Sequence, residues 1–306
     1  MHTCEIAGEH QRSFVALRAP QDDDGHGPTL DARRSTPLRY TPLMPSDRLL
    51  AVDVGNTNVV LGLWEGDELR ASWRLTTLRD RTADEYGILA RQLLGAEAAE
   101  IGAAVVASVV PPLNGTIATM LARYFGVQPL FVEAGVKTGL AVRTENPLEV
   151  GADRIVNAVA AHHRFGGPTI VVDFGTATTF DLVTEPGEYV GCIIAPGFTV
   201  SSEALFARAA RLPRVDLKRP GHLIGTNTVS SIQSGIYYGY LGLVDGILTR
   251  MKQEVAGVRT VVATGSLDAA MIEESALIDR WEPDLTLLGL KLVHDRNARR
   301  KERKAR

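Results

Sequence analysis

The chain is short of cysteine, aromatic residues, long apolar runs and basic surplus, and each shortage removes a class of protein. Two cysteines in 306 residues, Cys4 and Cys192, cannot staple a secreted scaffold or build a structural zinc site, and their scarcity fits a reducing compartment. Neither sits in a context that suggests a nucleophile. Aromatic residues make up only 6%. The longest apolar run, 101–110, is interrupted by Gly102 and Ser108 and stops at Pro111, well short of the ~20 residues of a membrane span. Glu5 and Glu9 stand where a secretory signal would be basic, with no apolar stretch behind them, so a cytoplasmic location is expected. The formal net charge is −3, but the run from Arg296 to Arg306 contributes +6, so the rest carries −9. An acidic body lacks the basic face that nucleic-acid binding needs, and a short terminal run of like charge usually forms a solvated tail.

What remains is ordinary globular material, with 45% hydrophobic and 23% charged residues, in a length that suits two domains or one duplicated unit. Residues 1–47 contain Asp22-Asp23-Asp24-Gly25 and five prolines without a lasting apolar period, and read as a disordered extension; Met44 offers an alternative start. From Leu49 the pattern predicts a three-stranded meander (49–54, 59–64, 69–76), a helix over 83–94, a strand over 103–109, a helix over 113–124 and a short strand over 129–132. A second series follows, with a helix over 151–165 and strands over 169–174, 178–183 and 189–195. Helices over 200–210 and 229–255, a strand over 258–263 and helices over 267–278 and 285–297 complete it. This divides the chain into an extension (1–47), a first half (48–150), a second half (151–295) and a basic tail (296–306).

The strand Leu50-Ala51-Val52-Asp53-Val54 and its turn Gly55-Asn56-Thr57-Asn58 are echoed 120 residues later by Ile170-Val171-Val172-Asp173-Phe174 and Gly175-Thr176-Ala177-Thr178. Two copies of one mononucleotide-binding unit would look like this. An Asp at the end of a buried strand needs a cation or partner, the glycine lets backbone N–H groups approach a phosphate, and Thr57, Asn58, Thr176 and Thr178 offer neutral donors. No Walker A loop or dinucleotide fingerprint is present, so nucleotide binding would use this two-copy acidic design with the triphosphate in the cleft between halves. Between the copies, Asp153 and Arg154 fall in the first turn of a predicted helix. They could simply complement its dipole, or offer a proton acceptor beside an anion-binding fork. His162 and His163 read as surface or capping residues, and Ser201-Ser202 as a helix N-cap.

The order and spacing of Asp53-Val-Gly-Asn-Thr-Asn58, Glu149-Val-Gly-Ala-Asp-Arg154, Asp173-Phe-Gly-Thr-Ala-Thr-Thr179, Pro196-Gly197 and Ile224-Gly-Thr-Asn-Thr228 resemble type III pantothenate kinases over about 49–290. The resemblance implies an α/β fold of two duplicated ribonuclease-H-like halves, as in actin-like ATPases, with a cleft between them. It implies ATP-dependent phosphorylation of pantothenate, the first step toward coenzyme A. On this match Asp53, Val54, Gly55, Asn56, Thr57, Asn58, Val59, Val60 and Thr176 would hold ATP. Gly151, Ala152, Asp153, Arg154 and Thr228 would contact pantothenate, with Asp153 as catalytic proton acceptor. Asp173 would bind a monovalent cation, potassium or ammonium, magnesium would accompany ATP, and the protein would be a homodimer with 229–255 at its interface.

Two positions depart from the family pattern. Thr144 replaces a tyrosine that many members carry before Glu-Asn-Pro, and Ser266 replaces a glycine near the adenine side, where a positive φ would strain serine. The alternatives left open are a catalytically inactive accessory or regulatory protein of the same fold, supported only by the basic tail, and another kinase or ATPase of the superfamily, which would leave the motif 149–154 unexplained.

Overall fold

The computed structural model describes residues 48–209, 212–267 and 269–305; the extension expected over 1–47, with Cys4 and Met44, lies outside the described residues. The predicted meander forms: β1 (Arg48–Val54) pairs antiparallel with β2 (Asn58–Glu65), and β2 with β3 (Glu68–Thr76). A Thr82–Glu85 capping box starts α1 (Ala83–Leu94). It leads to β4 (Ile101–Ser108), parallel to β1. Pro111 and Pro112 open α2 (Pro111–Phe125), where their missing N–H groups cost nothing, and Gly126 closes it in the left-handed region at φ 70°. β5 (Pro129–Phe131) then joins β4 in parallel. The sheet order is β3-β2-β1-β4-β5.

The second half repeats this plan. After β6 (Ala141–Val142) and α3 (Ala152–Phe165), the strands β7 (Thr169–Phe174), β8 (Ala177–Val183) and β9 (Glu188–Pro196) form a second meander. Helices α4 (Phe198–Arg208) and α5 (Thr228–Glu254) lead to β10 (Thr260–Gly265), parallel to β7. Then come α6 (Ala269–Glu273), β11 (Arg280–Trp281) and α7 (Leu285–Ala305). The sheet order is β11-β10-β7-β8-β9-β6, which is the first order apart from the added β6. By element order α3 closes the first repeat as α7 closes the second.

These two closing helices pack together at the centre. A Cβ on Gly289 of α7 would lie 2.0 Å from the Val156 carbonyl oxygen of α3, so only glycine permits the contact. Leu287, Leu290 and Val293 of α7 pack against Leu49, Ala51 and Trp64 on the first sheet, while Ala160 and Ala161 of α3 pack against Val171 and Val262 on the second. Each half therefore closes with a helix that reaches the region between the sheets.

Two expectations are corrected, one is extended and one element was missed. The helix expected over 267–278 is confined to Ala269–Glu273, because the chain must turn back to lay β11 beside β10 and Asp279 accepts from the Val261 N–H at 2.7 Å. The last helix, expected over 285–297 and running into the basic tail, continues through that tail to Ala305, because its Arg/Lys/Ala/Glu composition favours helix. Ser201 and Ser202 are not caps, because α4 already starts after Gly197, and Ser202 bonds back to the Thr199 carbonyl at 2.7 Å. The two-residue β6 was not foreseen, being too short for a periodic signal.

Candidate active site

The two echo turns meet. At the end of β1 the Gly55 N–H donates to the Asn58 carbonyl at 2.9 Å, and at the end of β7 the Gly175 N–H donates to the Ala177 carbonyl at 3.1 Å. The hydroxyls of Thr57 and Thr176 lie 2.7 Å apart, so loops 119 residues apart in sequence face each other. Thr77 braces the first loop by donating to the Gly55 carbonyl at 2.7 Å. Gly197 braces the second: a Cβ there would fall 2.4 Å from the Gly175 carbonyl oxygen. Asn56, Thr57 and Thr176 are exposed, Asn58 and Val60 half-buried, and Val54 and Val59 buried, so the two buried valines offer a ligand only their backbone. Thr178, expected as a donor, is fully buried instead and shares a 2.5 Å hydrogen bond with Tyr240, because strand alternation turns it to the core.

Three carboxylates are electrostatically coupled beside these loops. Burial, then the charges of Asp153 and Asp173, push the Asp53 carboxyl well above the usual carboxylate range. Burial, then Asp153 and Asp181, push Asp173 up to about 7. Burial also raises Asp153, whose Oδ1 accepts from the Arg154 backbone N–H at 2.7 Å. Asn157 of α3 donates to Asp173 Oδ2 at 2.9 Å. Asp53 Oδ1, Asn157 Oδ1 and Thr264 Oγ1 are buried without hydrogen-bond partners, oxygens of the kind a cation would satisfy. Among the described residues no three His, Cys, Asp or Glu side chains form a group that could hold a metal ion.

The concern over Ser266 is also corrected. The positive φ falls on Gly265, at 107°, where a Cβ would lie 2.8 Å from Asp173 Oδ1. No described residue other than glycine has positive φ, and Ser266 donates its N–H to the Phe174 carbonyl at 2.8 Å.

Arg154 is not a free fork. Its Nε and Nη2 donate to Asp181 Oδ1 at 2.9 and 2.6 Å, and Nη2 also reaches the Tyr189 hydroxyl at 2.5 Å. Asp181, Tyr189 and Asn157 were missed in the sequence, although an Asp inside the apolar strand 177–183 and an Asn on the buried face of 152–165 are each costly enough to be signals. Gly151, Ala152, Asp153 and Arg154 lie together at the start of α3, and a Cβ on Gly151 would fall 2.5 Å from Asp153 Oδ1. Thr228 is exposed at the first residue of α5 and lines a groove of about 660 Å³ with Leu205, Gly225 and Ser231. Thr144 is half-buried with no partner for its hydroxyl. His162 meets the Glu185 carbonyl at 3.0 Å, and Cys192 is free and exposed.

Comparison with known proteins bears directly on this geometry. A family model described as type III pantothenate kinase matches residues 49–250. The type III pantothenate kinase of Moorella thermoacetica is 55% identical over 252 residues, covering 81% of this chain and 99% of that protein. The chain belongs to the type III pantothenate kinase family. The family member of Geobacter sulfurreducens is 52% identical over 252 residues, with the same two coverages of 81% and 99%. Among solved structures, a protein described as a conserved Baf family transcriptional activator from Campylobacter jejuni superposes with a TM-score of 0.50 at 17% identity, covering 82% of this chain and 99% of that one. A reductive activator for a corrinoid, iron-sulfur protein gives 0.51 at 14% identity, covering 86% and 63%. These likenesses speak to fold alone. For this type III pantothenate kinase family member it is an α/β fold of two duplicated halves, whose sheets share one strand order apart from β6.

Proposed function

We propose that this family member transfers the terminal phosphoryl group of ATP to the hydroxyl of pantothenate, giving 4'-phosphopantothenate, the first step of coenzyme A biosynthesis. The observation that carries the reading is the meeting of the two acidic glycine loops at Thr57 and Thr176, with Asp153 coupled to both of their aspartates. The loop Asp53, Val54, Gly55, Asn56, Thr57, Asn58, Val59 and Val60, with Thr176, would hold the ATP phosphates through backbone N–H groups and hydroxyls. Gly151, Ala152, Asp153, Arg154 and Thr228 would hold pantothenate. Asp153, raised above the ordinary carboxylate range, would accept the hydroxyl proton as the bond to phosphorus forms. Because phosphoryl transfer depends mainly on positioning and charge stabilisation, one modest base suffices.

The unpartnered oxygens around Asp173 fit a monovalent cation, potassium or ammonium, held by that carboxylate. Such a cation, with the magnesium that accompanies ATP, would offset phosphate charge. No described helix is long and apolar enough to cross a membrane, and with the scarce cysteines this supports a cytoplasmic enzyme. Exposed apolar side chains such as Leu223, Ile224 and Val229 support a homodimer involving α5. The two repeats, the first closed by α3 and the second by α7, would act as the two walls of the cleft.

The test is ADP release from ATP by purified protein with and without pantothenate, in potassium and in sodium buffer with magnesium. Pantothenate- and potassium-dependent release is expected. ATP binding without any release overturns the reading.

A further inference from the structure

Asp181 lies mid-strand in β8 with no exposed surface, where a carboxylate is tolerated only if paired and fully hydrogen-bonded. Its Oδ1 accepts from Arg154 Nε and Nη2 and from the Tyr189 hydroxyl at 2.6 Å, while Oδ2 accepts from Thr179 Oγ1 at 2.8 Å. The fold itself does not demand this charge. Asp173 pairs with Thr179 as Asp53 pairs with Val60, so the position of Asp181 in the first repeat belongs to Gly62. There the sheet is covered by apolar contact: a Cβ on Gly62 would lie 2.7 Å from Leu287 of α7. The same place in two copies of one unit is thus filled by an apolar contact in one and by a charged clamp on Arg154 in the other.

We propose that Asp181, assisted by Tyr189, is a positioning residue for the acceptor substrate, a reading that rests on the function proposed above. It commits the Nε–Nη2 edge of Arg154, whose guanidinium also meets Cys192 of β9, and so assigns Nη1 to the carboxylate of the acceptor. It also keeps the guanidinium off Asp153, whose side chain accepts from the Arg154 backbone instead. Without the clamp, the guanidinium is free to pair with Asp153. That pairing would stabilise the ionised base, weaken it as a proton acceptor and leave the acceptor carboxylate without its cation.

The experiment compares steady-state kinetics of wild type, Asp181→Asn, Arg154→Gln and the double variant, with folding followed by circular dichroism. Asp181→Asn should raise the pantothenate KM by about 10- to 100-fold, as expected for losing charge-assisted hydrogen bonds, and leave the ATP KM unchanged. The acid limb of its kcat profile should move to lower pH. Because Asp181 acts through Arg154, adding Asp181→Asn to Arg154→Gln should cost less than about threefold more. Multiplying losses, an equal rise in ATP KM, or an unchanged pantothenate KM in folded Asp181→Asn overturns the assignment. If Asp181→Asn does not fold, Tyr189→Phe carries the test, with an expected rise of about 2- to 10-fold in pantothenate KM alone; no rise overturns the clamp. A wild type with no pantothenate-dependent turnover overturns the functional reading itself, whereas a competent wild type with an indifferent clamp overturns only this assignment.

Discussion

Asp153 and Asp173 are raised by the same leading cause, burial, and they separate by what else touches them. Asp153 accepts from a backbone N–H at the start of α3, and Asp173 from Asn157 deeper in the same helix. Asp153→Asn keeps the shape of the first and removes its proton acceptor. Turnover should fall about 10²- to 10⁴-fold, the usual worth of a general base, with nucleotide binding and melting temperature retained. Turnover within about tenfold of wild type would remove Asp153 from that role. For Asp173, a folded-state value of about 7 against an unfolded value near 3.9 means that the folded chain holds the proton more tightly. Stability from this group is therefore full below about pH 4 and is lost as pH rises through 7. In buffer without small cations the melting temperature should drop between pH 5 and pH 8, and Asp173→Asn should shrink that drop. Potassium should raise the melting temperature at pH 8 but not at pH 5; an equal shift at both would exclude Asp173 as its ligand.

Among the elements, the centre of the molecule rests on the α3–α7 contact through Gly289. Gly289→Ala would press a methyl group onto the Val156 carbonyl and should destabilise by roughly 1–3 kcal/mol in urea unfolding, the range for overpacking. Gly115, exposed in α2 with open space around it, is the control: its replacement by Ala should stabilise by about 0.5–1 kcal/mol. A Gly289→Ala protein as stable as wild type would mean that the helices do not pack this closely. Strands and helices with a clear apolar period were legible in the sequence, and α1 matches its predicted limits over 83–94. What escaped was decided by partners distant in sequence. α6 is cut short by the demand of β11 for the edge of β10, β6 exists only because β9 offers an edge, and α4 starts early because Gly197 must lie flush against the Thr176 loop.

At the scale of the whole molecule, duplication was legible because it repeats a motif, whereas the carboxylate that holds Arg154 does not repeat. Asp53 and Asp173 announce themselves as an echo, but Asp181 has Gly62 as its counterpart, so comparing the copies by motif cannot find it. The same asymmetry marks the surface. Isolated exposed apolar residues need no explanation, yet here Ile194 on β9, Leu205 on α4, and Leu223, Ile224 and Val229 at the entry to α5 are all open to solvent, Ile224 at 82%. The inward face of α5 is already spent on the core through Tyr237, Tyr240, Val244 and Leu248, so an interface would draw on its entry and its outer face. A homodimer built there predicts a sedimentation mass of two chains at micromolar concentration, and a single-chain mass once Ile224 and Val229 are both replaced by Glu, because two buried charges per protomer have no partner across a self-complementary interface. A wild-type mass of one chain, or a double variant that stays dimeric, would put the interface elsewhere.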